Sequence, residues 1–200
     1  MKAKINIKNF KKFEEYARNY CKKHDKIITL VPNKTVSQEE YKDFKCAGFC
    51  DGEEMVVATK NPRFQTVFIH EFAHLTQAVE RIPMWYEYGD IWSALQKGKV
   101  SLGKWDEFVK VIAVEQDCER RSLNLIKKFN ITSPEIYAQN ANIYLYYYQY
   151  VFMTAFWSRR KSLYDCKELR ELVPTKLLPA NHFKNINMEV MKCFFNYYKK

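Results

Sequence analysis

The sequence predicts an α+β fold, with a small N-terminal antiparallel sheet packed on a mainly helical domain. Three observations predict it. Only five Gly and six Pro occur in 200 residues, too few turn formers for a many-stranded sandwich. Through most of the chain, apolar residues recur at three- and four-residue spacing, the period of a helix. Residues 27–59 instead carry short apolar runs divided by turn residues, the pattern of strands. An apolar fraction of 47%, with 14 Phe and 14 Tyr, supplies a core that is largely aromatic. The length suits one domain over 1–200, with the sheet and a motif-bearing helix over about 25–82 and a helical part over 83–200.

In KNFKKFEEYARNYCKK, residues 8–23, the residues Phe10, Phe13, Tyr16, Ala17 and Tyr20 make an amphipathic helix. KIITLVP stops at Pro32 and reads as a strand. YKDFKCAGFC and EEMVVATK are joined through Asp51-Gly52, a strong hairpin signal. MVVATK is expected at an edge of the sheet. Asn61-Pro62 ends the strands, and the helix that follows runs to about Arg81. MWYEYGDIWSALQKG and LGKWDEFVKVIAVEQDCERRSLNLIKKFN continue the helical period. Ser133-Pro134-Glu135 opens a further helix, apolar nearly all round and therefore buried. Two Pro breaks and a short aromatic helix close the chain.

Composition limits the function. The formal charge of +10 favours anionic partners and keeps nucleic acid open as one. The lysines are dispersed, however, and no RNP motif, paired-Cys/His finger or basic zipper occurs. No run reaches the roughly 18 apolar residues that span a bilayer. The start, MKAKINIKNFKKFEEY, has no apolar stretch of the kind a secretory signal carries, so a cytoplasmic protein without a membrane partner is expected. The six Cys are scattered and read as free thiols; Cys46 and Cys50 form one C-x-x-x-C pair with no second pair to complete a metal site.

The chemistry concentrates in VFIHEFAHLTQ, where His70, Glu71 and His74 form H-E-x-x-H. On a helix, residues four apart share a face, so both imidazoles can reach one zinc ion. Glu71, one residue along, flanks that point as a general base for a water activated by the ion. The plain alternative is a core helix that happens to hold two of the chain's four His. Catalytic zinc takes three protein ligands. A third histidine by the metzincin spacing is excluded, because Gln77 stands where that pattern has glycine and Glu80 where it has histidine. An acidic residue on a later helix remains. In VEQDCERRS, Glu115 and Glu119 share a face. Glu115 is assigned as the third ligand, and Glu119 as the group that fixes a ligand imidazole from behind. Alone, such a pair beside Arg120-Arg121 is an ordinary solvated, salt-bridged face. Tyr86, Tyr88, Tyr144, Tyr148 and His182 are candidates to donate to a tetrahedral oxyanion.

This arrangement is similar to the gluzincin metallopeptidases, in which H-E-x-x-H is followed on a later helix by E-x-x-x-D; Glu119 stands where that family has Asp. The segment AGFCDGEEMVVATKNPRFQTVFIHEFAHLTQ also resembles the small ImmA/IrrE-type metallopeptidases, which lead from a hairpin into the motif helix. The likeness covers roughly residues 47–126 and rests on His70, Glu71, His74 and Glu115. It implies a zincin-like domain, one Zn²⁺ per chain, and hydrolysis of a protein or peptide substrate of narrow specificity. The rival expectation is a metalloprotease-like binding or regulatory protein, with a protein or nucleic-acid partner and little peptidase activity.

Overall fold

The structure is a computed structural model that describes residues 4–37, 45–81, 104–155 and 162–199. The α+β class holds. The chain divides into two compact units. The described parts of one are 4–37, 45–81 and 121–132; those of the other are 104–120, 133–155 and 162–199.

In the first unit, α1 (Ile7–Lys23) starts where the Asn6 side chain accepts the Asn9 N–H at 3.1 Å, and ends on Lys22 and Lys23, which complement the helix dipole. Its buried stripe is Phe10, Phe13, Ala17 and Cys21, spaced three and four apart. Strand β1 (Ile27–Val31) follows, then β2 (Val36–Ser37), β3 (Lys45–Cys46), β4 (Gly48–Cys50) and β5 (Glu54–Ala58). The Asp51-Gly52 hairpin forms as expected: Asp51 Oδ1 accepts the N–H groups of Glu53 and Glu54 at 2.9 and 2.8 Å. Gly52 takes the positive φ of 95° that the turn needs.

Two expectations about the sheet are corrected. The main sheet is mixed, not wholly antiparallel: β4 pairs antiparallel with β5, while β1 runs parallel to β5, Ile28 opposite Met55 and Leu30 opposite Val57. MVVATK is therefore no edge, since the order is β1-β5-β4. The cause is burial. Met55, Val56, Val57 and Ala58 are all buried, an unbroken apolar run that needs neighbours on both sides. The outer strand next to the hairpin is β4.

Helix α2 (Phe64–Val79) carries the motif. Phe68 meets Phe10 and Phe13 edge to face at 5.6 and 5.8 Å, and Phe72 meets Phe13 at 5.5 Å. The end of α3 (Trp105–Phe129) completes this unit, Phe129 resting on Phe13 and Tyr16 at 5.4 Å each. Arg121 grips Glu80 with two bonds of 2.8 and 2.7 Å, tying the end of α2 to α3.

The second unit is built on α4 (Pro134–Thr154). The Ser133 hydroxyl caps it by accepting the Ile136 N–H at 3.2 Å, and Ala155 ends it at a positive φ of 52°. As the sequence predicts, it is buried almost all round. Helices α5 (Lys167–Leu172) and α6 (Met188–Lys199) pack on it through Leu169, Met191 and Phe194. Two single turns, Leu163–Asp165 and Ala180–Lys184, complete the described segments. Among the described residues no helix is long and apolar enough to cross a membrane.

Candidate metal centre

Helix α2 buries three polar groups, and half-buries a fourth, in an apolar setting. His74 is 6% exposed, Glu71 7% and Gln77 fully buried, and His70 is half-buried. Buried polar groups need partners. His70 and His74 turn their Nε2 atoms towards each other at 3.1 Å, with the rings perpendicular and 4.6 Å apart. The other nitrogen of His74, Nδ1, lies 2.8 Å from Gln77 Oε1. Two nitrogens facing at that distance cannot both present bare lone pairs to each other, so a proton or a cation has to lie between them. Two imidazoles bound to one tetrahedral zinc at the usual bond length stand about 3.3 Å apart at nitrogen. The pair fits such an ion.

Glu71 is set by a close approach of β4. A Cβ added at Gly48 would lie 3.0 Å from Glu71 Cγ, 2.8 Å from Val67 Cγ1 and 3.0 Å from the Val56 carbonyl oxygen. Only glycine lets the outer strand run this near the helix at the base of the motif.

In the second unit, the acidic pair of α3 departs from a solvated face. Glu115 is 6% and Glu119 5% exposed. Arg120 pairs with Asp117, and Arg121 with Glu80. The carboxylates instead take tyrosine hydroxyls from α4: Tyr137 donates to Glu119 Oε2 at 2.6 Å, and Tyr148 to Glu115 Oε2 at 3.4 Å. Burial, then the Glu115 carboxylate, pushes the Tyr148 hydroxyl well above its ordinary range, so it stays a donor. Cys118, fully buried, lies beside Glu119 on the same helix.

Three of the candidate oxyanion donors lie among the described residues. Tyr148 is engaged with Glu115, and Tyr144 packs beside it with ring centres 4.6 Å apart. His182 is exposed on the Ala180–Lys184 turn, where its Nε2 shares a hydrogen bond of 2.6 Å with the Tyr146 hydroxyl. Tyr86 and Tyr88 lie outside the described residues. The Cys46 thiol turns to the Val36 carbonyl at 3.7 Å and Cys50 lies on β4; no disulfide joins the described cysteines. Sequence reasoning missed Gln77 and Tyr137. Gln77 carries a readable signal, a polar residue one turn after His74 in an apolar run; Tyr137 is one of 14 tyrosines and carries none.

No protein-family model, no curated protein and no solved structure matches the chain.

Proposed function

We propose that the chain is a zinc-dependent peptidase with His70, His74 and Glu115 as metal ligands and Glu71 as general base. One observation carries the reading: within a single helix, two histidine Nε2 atoms converge at 3.1 Å, and the residue directly after the first of them is a buried glutamate. A structural imidazole pair needs no neighbouring carboxylate, whereas hydrolysis does. Zinc, when bound, supplies the Lewis acid that lowers the pKa of a water and polarises a peptide carbonyl.

The chain's own residues do the rest. Glu71 accepts the proton of the attacking water and returns it to the departing amine. Its burial keeps that carboxylate out of bulk water, and Gly48 leaves room for it. Glu115 and Glu119 enter as carboxylates already held by hydroxyls, which limits their freedom before any ligand arrives. Cys118 is the other donor we weigh beside His70 and His74, since a thiolate suits zinc as well as a carboxylate does. Replacing each with a residue that cannot bind, Glu115→Ala and Cys118→Ala, separates the two.

The activity test uses an unfolded polypeptide as substrate with zinc-loaded protein. The wild type is expected to cleave it, and Glu71→Gln to be slower by about 10²–10⁴-fold with zinc retained. Equal rates in both would contradict the role of Glu71. A wild type that holds zinc and cleaves nothing favours the binding-protein alternative.

A further inference from the structure

We infer that Gln77 is the positioning residue of the metal centre, holding His74 in the tautomer that offers Nε2 to the ion. The inference rests on the zinc reading above for its purpose, and on geometry for its content.

A neutral imidazole carries one proton, on Nδ1 or Nε2, and only the bare nitrogen can bind a metal. An acceptor at Nδ1 keeps the proton there and leaves Nε2 bare. Gln77 Oε1 provides that acceptor at 2.8 Å, three residues along the same helix and with no exposure to water. The burial matters. No solvent competes for the Nδ1 proton, and an amide oxygen left there without a donor would cost its desolvation. The bond therefore fixes both the tautomer and the ring rotation of His74.

The chain of protons then has one direction. His74 Nδ1–H donates to Gln77, and His74 Nε2 is an acceptor facing His70 Nε2 at 3.1 Å. With no cation present, His70 must donate its Nε2 proton into that gap. For His70 to offer Nε2 to a metal ion entering there, its proton shifts to Nδ1, whereas His74 Nε2 is bare beforehand. His74 also has no N–H left for a second acceptor.

Most ligand histidines lean on a carboxylate, a backbone carbonyl or water. A neutral amide gives the same orientation with less basicity at the ligand, so exchanging it for a carboxylate is informative. The opposite geometry is an amide turned over, with Gln77 Nε2 donating to a bare His74 Nδ1. His74 would then carry its proton on Nε2 and be unable to bind until it shifted.

The test has two readouts on wild type, Gln77→Leu and Gln77→Glu. The first is the His74 tautomer, read from long-range ¹H–¹⁵N couplings in metal-stripped protein, above the ordinary imidazole pKa of about 6.5. The second is zinc affinity by competition with a chromophoric chelator. The Nδ1–H tautomer is expected in wild type and in Gln77→Glu. Zinc affinity should fall about 10–100-fold in Gln77→Leu and return in Gln77→Glu to the wild-type value or above it. An Nε2–H tautomer in wild type overturns the inference without needing any variant to fold. Undiminished zinc binding by Gln77→Leu overturns it too. A wild type with the expected tautomer that takes up no zinc sinks the metal reading, and the purpose given to Gln77 with it, while leaving the hydrogen bond intact.

Discussion

Helices α2 and α4 both bury polar side chains in apolar surroundings, and they use them in opposite ways. On α4 the amides Gln139, Asn142 and Gln149 form a stripe at helical spacing. Each points its NH₂ group at two backbone carbonyls: Arg170 and Val173, Pro174 and Lys176, Phe183 and Asn185, at 2.8–3.2 Å. Those carbonyls lie in the last turn of α5, in the proline-broken stretch after it and around the Ala180–Lys184 turn, where regular backbone pairing stops. On α2 the buried nitrogens face each other, with an ionisable group alongside. Polar groups committed to backbone specify a fold. Polar groups that converge on one another hold a proton, or can take a cation, between them.

The comparison is broken most forcefully on α4. Asn142→Leu removes the partner of two carbonyls and of the Leu178 N–H, which its Oδ1 accepts at 2.9 Å. A loss of about 2–5 kcal/mol is expected in chemical denaturation, with zinc affinity of the folded protein unchanged. A change in zinc affinity as large as the change in stability would erase the distinction between the two helices.

Gly48→Ala tests the setting of Glu71. Two of the three close contacts of the new Cβ are with α2 and one is with backbone, so β4 or the helix has to give. We expect a cost of about 1–3 kcal/mol and a fall in peptidase rate greater than any fall in zinc content. Unchanged stability and rate would show that the approach of β4 is slack. Arg121→Ala is expected to cost no more than about 1 kcal/mol, because the Glu80 side chain is 55% exposed.

A further expectation is a dependence on pH. Burial pushes the Cys21 thiol up to about 11, with Arg18 acting against it. A raised thiol pKa means the folded chain binds more protons than the unfolded one between about pH 9 and 11. The contribution is complete below that window and is lost as pH rises through it, with a slope of at most about 1.4 kcal/mol per pH unit. Cys21→Ala should flatten the slope in urea titrations across that range.

How much of this was legible follows from where each signal resides. The motif helix, the Asp51-Gly52 turn and the Ser133 cap are local, set by residues within four positions of each other, and they appear where the spacing puts them. The parallel pairing of β1 with β5 joins residues 27 apart and leaves no local mark. The four consecutive buried residues of β5 did mark a central strand, against the edge expected. The burial of Glu115 and Glu119 was illegible because VEQDCERRS is as charged as any surface segment. Asp117 and Arg120 satisfy each other on its outer side, while tyrosines from α4 meet the two glutamates.

The central claim is that α2 holds a metal ion through both of its histidines. The most direct measurement is elemental analysis of purified wild type, His74→Ala and Glu115→Ala after zinc loading and desalting. About one zinc per wild-type chain, absent from His74→Ala and reduced in Glu115→Ala, is the predicted result. A wild type that retains no zinc would contradict the account and leave the facing imidazoles as a hydrogen-bonded pair in a helical core.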